Sequence, residues 1–186
     1  MLDAPTPGSA AAEQPPADPV EFARAILLRR LAAAPRSRSE LHADLLKRGV
    51  PDAIATALLD RFEEVGLVND ATLAHDLVEW RHQGRALSRR AIALELRRRG
   101  IDDELSATAL ATVDDEAERE RAAEFVRAKL SSTTGLAADV RLRRLVGALA
   151  RKGYSPGLAF GVVKSELAAE GVLDSATTFE QSDEFE

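Results

Sequence analysis

Three pairs of adjacent cations are the residues of this sequence best suited to chemistry, because each pair directly precedes a glycine. The pairs are Lys47 and Arg48 before Gly49, Arg98 and Arg99 before Gly100, and Arg151 and Lys152 before Gly153. Guanidinium and ammonium groups bind phosphates and carboxylates, so the pairs predict a surface for a phosphate backbone or an acidic protein groove. A simpler interpretation stays open: cations at the end of a helix complement its dipole, each contributing about 0.3–1 kcal/mol.

Further arginines near the second and third pairs favour the binding interpretation, since a helix dipole does not need them. The further cations of the predicted site are Arg85, Arg89, Arg90, Arg97, Arg143 and Arg144, and Arg141 belongs to the same stretch of sequence. Arg90 and Arg97 are seven residues apart, which places them on one side of a helix. The sequence therefore predicts a basic binding surface formed by these arginines and the three pairs.

Other kinds of site are excluded or poorly supported. The chain has no cysteine, which excludes disulfides, thiolate zinc sites, iron–sulfur clusters and cysteine nucleophiles. His75 and His82 are seven residues apart, but two imidazoles without a third ligand make a poor zinc site. The acidic clusters at residues 102–104 and 114–116 stand where helices should begin, which favours a dipole role. No glycine-rich phosphate loop or nucleophilic serine turn occurs, so we predict no enzyme activity, cofactor or metal.

The single tryptophan, Trp80, follows Leu77 by three residues, and this helical spacing predicts that its ring belongs to the core. The neighbouring Arg81 leaves an interfacial role open. Aromatic residues make up only 4% of the chain, which gives little support to a stacking platform for single strands. Base-specific recognition is not indicated.

The apolar spacing predicts an all-α protein. Ile54, Leu58, Phe62 and Val65 recur at helical steps, and no stretch alternates with the period of a strand. Helix starts are expected at the capping box Ser37 to Glu40 and at Ser155 before a proline. The predicted helices cover residues 20–34, 37–48, 51–65, 70–83, 88–99, 102–113, 114–131, 139–152 and 155–168.

An internal repeat organises these helices, because the glycines of the three basic pairs recur at steps of 51 and 53 residues. The repeat predicts tandem three-helix units at residues 20–69, 70–113 and 114–168, stacked into an elongated, curved array. Residues 1–19 and 169–186 are expected to be disordered acidic tails, since they lack Lys and Arg and bury little apolar area. The net charge of −6 then becomes +3 for residues 20–169.

Several segments resemble the RecX family of recombination regulators over about residues 20–168. The resemblance rests on the sequence GLVND at residues 66–70, the dipeptide Trp80-Arg81, and the run GRALSRRAIALELRRRGI at residues 84–101. It implies three tandem three-helix repeats. It also implies binding to the RecA recombinase and its filament on single-stranded DNA, with inhibition of ATP hydrolysis and strand exchange during DNA repair and the SOS response. Leu73 stands where the family pattern has an aromatic residue.

The hypothesis from sequence is thus a non-enzymatic, monomeric, all-helical modulator that lodges in the groove of a recombinase filament. Weak direct binding to DNA is also expected. Neither a membrane span nor a secretory signal is visible, so we expect a cytoplasmic protein without a membrane partner. Two alternatives stay open: a sequence-tolerant DNA-binding or transcriptional protein with helix-turn-helix-like units, and a helical-repeat scaffold without a DNA role.

Overall fold

The computed structural model describes residues 18–172, and within them the chain forms α-helices and no strands. The helices are α1 Pro19–Ala33, α2 Arg38–Lys47, α3 Asp52–Glu64, α4 Asp70–Glu79, α5 Arg89–Arg98, α6 Asp103–Leu110, α7 Asp115–Leu130, α8 Ala138–Arg151 and α9 Pro156–Ala169. A π-helical turn, Trp80–Gly84, follows α4, and a 3₁₀ turn, Ser131–Thr133, follows α7. The all-α prediction is confirmed, and each predicted helix corresponds to one of these nine.

Local signals set the helix ends. Ser37 caps α2 by accepting a hydrogen bond from the Glu40 N–H (3.1 Å), while the Glu40 carboxylate accepts one from the Ser37 N–H (3.0 Å). This is the predicted capping box. Ser155 likewise accepts from the N–H of Leu158, ahead of α9 (3.4 Å). The predicted tails lie outside the described residues, except at their inner ends: Pro19 is the first residue of α1 and Ala169 the last of α9.

The region after α4 differs from the predicted continuous helix over residues 70–83. The α-helix ends at Glu79, and the wider π turn carries the chain to Gly84. The side chain of Arg121 donates hydrogen bonds to the carbonyl oxygens of His82 (3.1 Å) and Gln83. Because these carbonyls find a partner outside their own helix, the regular helical hydrogen bonds can be given up at this point.

The chain folds as two compact units, the first ending at Asp70 and the second beginning at Ala71. The core of the first unit joins α1, α2 and α3 through residues that include Leu27, Leu45 and Leu59. The second unit contains two core clusters. One gathers residues 73–113, and the other gathers residues 122–167. The second and third predicted repeats therefore share one compact unit, although each keeps its own core.

Close backbone packing joins the two halves of the second unit. The Ser88 N–H donates to the carbonyl oxygen of Lys152 (3.0 Å), and the Arg89 N–H donates to Glu118 (2.8 Å). Gly153 adopts φ +91°, and a Cβ atom there would lie 2.7 Å from both the Cβ of Ala91 and the Oγ of Ser88. Only glycine permits this approach, so Gly153 sets both the end of α8 and its distance from α5.

Within residues 18–172, no helix is both long and apolar enough to cross a membrane.

Candidate functional site

The second unit contains a cleft of about 680 Å³ between its two halves. We call it the basic cleft. The π turn, the segment that follows it and Glu95 of α5 form one side, and α7, the 3₁₀ turn and α8 form the other. The lining residues are Arg81, Arg85, Leu87, Glu95, Phe125, Lys129, Ser132, Thr133, Arg144, Leu145, Ala148, Arg151 and Lys152.

The charge of this lining is strongly positive, because it contains six cations and a single carboxylate. Arg81 and Glu95 neutralise each other: the Arg81 Nε donates to one Glu95 oxygen at 2.7 Å, and its Nη2 donates to the other. None of the other five cations forms an ion pair within residues 18–172, and the side chains of four of them, Arg85, Lys129, Arg144 and Arg151, donate no hydrogen bond there either. We call these the four unpaired cations. All four are exposed, so an anion in the cleft would meet them without displacing a carboxylate.

Lys152 supports the cleft from its inner side. Its ammonium group donates a hydrogen bond to the carbonyl oxygen of Arg85 (2.8 Å) and lies 5.4 Å from the ring centre of Phe125. Neither partner carries a formal charge, so the positive charge of Lys152 remains while its position is fixed. The contact also ties the end of α8 to the segment after the π turn.

Trp80 is exposed, and the prediction that it belongs to the core is wrong. Its exposed fraction is 55%, whereas Leu77 is buried. The π turn begins at Trp80, and the residue it directs inward is His82, which is 3% exposed. The guanidinium carbons of Arg81 and Arg85 lie 4.3 and 5.0 Å from the ring centre of Trp80. Since both arginines also line the basic cleft, the indole ring stands next to its opening.

The structure brings four of the twelve predicted site residues together in the basic cleft: Arg85, Arg144, Arg151 and Lys152. Others lie elsewhere with carboxylate partners. The side chain of Arg89 pairs with Asp115 (2.7 Å), and Arg143 pairs with Asp139 (2.8 Å).

The remaining predicted residues are found at helix ends and on other surfaces. Arg90 is exposed and lines a separate groove with Leu110 and Leu158. Arg97, Arg98 and Arg99 close α5, where Arg97 lies 3.6 Å from Asp103. Lys47 and Arg48 are exposed at the end of α2, in the first unit. None of these six residues lines the basic cleft.

Sequence alone groups Arg141 with the surface arginines, and the structure corrects this. The residue is only 4% exposed. Its guanidinium group donates to Thr133 Oγ1 (3.1 Å), to the carbonyl oxygen of Leu130 (3.3 Å) and to the carboxylate of Glu170. Because these partners lie at the end of α7, in the 3₁₀ turn and directly after α9, Arg141 joins the ends of α7 and α9 and is closed to an external ligand.

Sequence reasoning missed Arg81 and Lys129 as residues of the cleft and misplaced Trp80. The sequence does contain a signal for Arg81, since the dipeptide Trp80-Arg81 is one of the segments that resemble a known family. Lys129 lies in the last turn of α7. Arg127 stands in the same turn but pairs with Glu120 and Glu166. Sequence alone does not distinguish the two cations, and the packing of α7 against α8 places Lys129 in the lining of the cleft.

The other candidates have structural roles. Asp102 and Asp114 cap α6 and α7 by accepting hydrogen bonds from the N–H groups of Glu104 (2.8 Å) and Ala117 (2.7 Å), in agreement with their predicted place at helix starts. His82 is buried, with Nδ1 3.3 Å from the carbonyl oxygen of Leu87, whereas His75 is exposed. No group of three or more metal-ligating side chains occurs in the described part of the chain.

Comparison with known proteins gives consistent matches over most of the chain. Residues 23–62 match the family model "RecX, first three-helix domain", and residues 69–110 match "RecX, second three-helix domain". The "Regulatory protein RecX" of Streptomyces coelicolor is 52% identical over 158 residues, which cover 85% of this chain and 84% of that protein. The protein of the same name from Thermobifida fusca is 48% identical over 170 residues, covering 91% and 90% of the two chains.

Solved structures agree with this result at the level of the fold. The crystal structure of RecX from Lactobacillus salivarius superposes with a TM-score of 0.70 at 19% identity, covering 81% of this chain and 97% of that one. A second crystal structure of a regulatory protein RecX gives a TM-score of 0.67 at 21% identity, covering 81% of this chain and 73% of that one. The helical architecture is therefore shared with proteins whose sequences have diverged widely.

Proposed function

Since the chain belongs to the RecX family of regulatory proteins, we propose that it regulates homologous recombination and DNA repair by binding the RecA recombinase and its filament on single-stranded DNA. In this proposal the bound protein inhibits ATP hydrolysis and strand exchange and acts without catalysis of its own. The observation that carries the proposal is the basic cleft. A filament presents DNA phosphates and acidic protein side chains, and the four unpaired cations suit both kinds of anion.

The proposed mechanism is steric and electrostatic. Binding along the filament would block the path of the second DNA strand, and contact with adjacent protomers would favour a conformation from which the recombinase dissociates. Contacts through phosphates make the affinity strongly salt-dependent. With up to four phosphates neutralised, the slope of log affinity against log salt concentration reaches about −2.8 on single-stranded DNA. The other predicted cations at the helix ends lie outside the cleft and would add a weaker attraction that acts through the screened field.

The test is the ATPase activity of RecA on single-stranded DNA, with and without the full chain. We expect the wild-type protein to inhibit hydrolysis and the double variant Arg144→Glu, Arg151→Glu to lose most of this inhibition. The matched control is Arg61→Glu, Arg119→Glu, which changes the net charge equally at two exposed arginines outside the basic cleft. A wild-type chain that leaves both hydrolysis and strand exchange unchanged would contradict the proposal.

A second candidate is a sequence-tolerant DNA-binding protein, because a positive cleft with one neutralised carboxylate suits the phosphates of any DNA. Binding assays separate the candidates. A regulator of the recombinase binds RecA-coated DNA more tightly than naked DNA, whereas a general DNA-binding protein binds naked duplex equally well and leaves the ATPase unaffected. Binding to neither would favour the helical scaffold.

A further inference from the structure

The exposed indole of Trp80 is the feature of the second unit that basic charge alone does not explain. We propose that Trp80 is a stacking position for one unpaired nucleobase of a single strand whose phosphates lie in the basic cleft. The inference rests on the proposed function for its partner, DNA. It adds that this chain contacts single-stranded DNA directly and that Trp80 is the residue that distinguishes a single strand from a duplex.

Two cations connect the indole with the basic cleft. The guanidinium carbons of Arg81 and Arg85 lie over the ring of Trp80, 4.3 and 5.0 Å from its centre, and both residues line the cleft. Trp80 is still 55% exposed, so a base would stack on the part of the indole that the two guanidinium groups leave open. A base stacked on the indole would therefore have its own phosphate next to Arg85. The adjacent phosphates of the strand would then lie within reach of Arg144 and Arg151 on the opposite wall.

The ring is held in place before any ligand arrives. Gly84 packs beside it, since a Cβ atom at Gly84 would lie 3.4 Å from Cδ1 of Trp80. Arg121 anchors the same turn through the carbonyl oxygens of His82 and Gln83. The part of this ring that stays exposed beside the two guanidinium groups is already ordered on a fixed turn, so a ligand that stacks on it does not have to order the ring. This fits a binding position better than a side chain left over from core packing.

The chemistry favours an unpaired base over the alternatives. In a duplex the bases are stacked on one another and their faces are not open to an indole, whereas in a single strand they are. An acidic peptide would satisfy the cations but would leave the face of Trp80 without a matching aromatic group. Stacking is also tolerant of base identity because every base has a π face, which agrees with the absence of any expected base-specific recognition.

The experiment uses the full chain without recombinase. Because Trp80 is the sole tryptophan, its fluorescence reports directly on stacking. The probes are an oligothymidylate, an abasic strand of the same length and a duplex of the same length. We expect the oligothymidylate to quench the emission and the abasic strand to bind through its phosphates with little quenching. The duplex should bind with little quenching as well. Equal quenching by the abasic strand and the oligothymidylate would overturn the inference.

Variants test the contribution of the ring to affinity, measured by the anisotropy of labelled strands. We expect Trp80→Leu to weaken binding of the oligothymidylate at least about fivefold, with the affinity for the abasic strand unchanged. Trp80→Phe should restore part of the loss. The matched control Phe160→Leu removes an exposed aromatic on α9 that does not line the basic cleft, and it should change neither affinity.

The results also separate this inference from the proposed function. Unchanged affinity of Trp80→Leu for the oligothymidylate, with its helical circular dichroism intact, would overturn the stacking position even if the wild-type chain inhibits RecA. If Trp80→Leu instead loses binding to RecA in the absence of DNA, Trp80 is a protein anchor and the inference is wrong. Stacking without any effect on the ATPase would support the inference and count against the proposed function.

Discussion

The two units of the molecule each contain a groove next to a basic helix end, and the grooves differ in how their charges are used. The groove of the first unit has a volume of about 350 Å³ and is lined by residues of α1 and α2 and of the segment between them. It contains three cations, but Arg30 donates to Asp44 (3.1 Å) and Arg36 lies 3.8 Å from Glu40. In the second unit, the four unpaired cations face a cleft whose only carboxylate is bound to Arg81.

The internal repeat explains this difference through two positions of the second helix of the first and third repeats, which are α2 and α8. Counted back from Gly49 and Gly153, the aligned residues are Leu41 with Leu145, Lys47 with Arg151, Glu40 with Arg144, and Asp44 with Ala148. The first two pairs keep their chemistry, since one is a buried leucine and the other a terminal cation. The last two pairs replace carboxylates by an arginine and an alanine. A basic pair at a helix end therefore does not by itself define a binding surface. The carboxylates around it decide whether its charge is available.

The largest expected effect comes from introducing into α8 the two carboxylates that α2 has at the aligned positions. We expect the double variant Arg144→Glu, Ala148→Asp to weaken binding to the RecA filament on the order of 100-fold, because an attractive contact becomes two repulsive ones in the middle of the cleft. Filament binding is measured by anisotropy of labelled single-stranded DNA coated with RecA.

The control for this exchange is Arg144→Gln, Ala148→Asn, which has nearly the same side-chain volumes without the negative charges. It should lose clearly less affinity, and both variants should keep the melting temperature within a few degrees, since a polar residue inside a helix costs about 0.5 kcal/mol. Wild-type affinity of the Glu and Asp variant would show that the comparison of the two grooves does not explain binding.

A second effect concerns the buried position that follows each repeat glycine. Val50, Ile101 and Tyr154 occupy it, and each is 4% exposed. Only Tyr154 carries a polar atom there, and its hydroxyl group is buried without a hydrogen-bond partner within residues 18–172. Burial, with a smaller contribution from Glu118, raises the pKa of Tyr154 to about 12 from its ordinary value of 10.0.

This shift predicts a loss of stability at alkaline pH. The unfolded phenol ionises near pH 10 and the folded one near pH 12, so the free energy of unfolding falls as the pH rises through this window and is unaffected below it. The fall amounts to about 2 kcal/mol. Urea unfolding of the wild type and of Tyr154→Phe from pH 8 to 11.5 measures it. Tyr154→Phe should lack this component and be at least as stable as the wild type at pH 8, because it removes a buried hydroxyl group without a partner. Parallel curves for both proteins would contradict the pKa shift.

The helices, their caps and the repeat glycines could be predicted because their causes are local. Ser37 and Glu40 are three residues apart, and the positive φ angles of Gly49, Gly100 and Gly153 follow from their place just after a helix. Trp80 and Arg141 could not be placed correctly, because their environments depend on distant residues. The turn at Trp80 requires the side chain of Arg121, 38 residues beyond Gln83, and Arg141 pairs with Glu170, 29 residues away.

The basic surface could be predicted only in part for the same reason. Sequence identifies which residues carry positive charge, but a carboxylate that neutralises a cation usually belongs to another helix. Arg89 illustrates this, since its partner Asp115 lies 26 residues further along the chain. Lys129 shows the opposite case, a single cation that gains its place in the cleft through packing alone.

The smallest effect is expected at the basic end of α5, outside the cleft. Arg97 and Arg98 are exposed there, and Arg97 lies 3.6 Å from the exposed carboxylate of Asp103. We expect Arg97→Glu, Arg98→Glu to reduce filament affinity about threefold at 0.1 M salt, since charges outside the contact act only through the screened field. The same substitutions oppose the helix dipole and should lower the free energy of unfolding by about 0.3–1 kcal/mol per residue.

The salt concentration separates the effect of this variant on filament affinity from its effect on stability. A charge that acts through the field loses its influence as the screening length falls from about 10 Å at 0.1 M to about 3 Å at 1 M. The difference in affinity between this variant and the wild type should therefore disappear at high salt, while the loss of stability near the dipole persists in part. The neutral control Arg97→Gln, Arg98→Gln should show about half of each effect. If the Glu variant instead loses more affinity than the exchange at Arg144 and Ala148, the helix end is the main contact and the basic cleft is secondary.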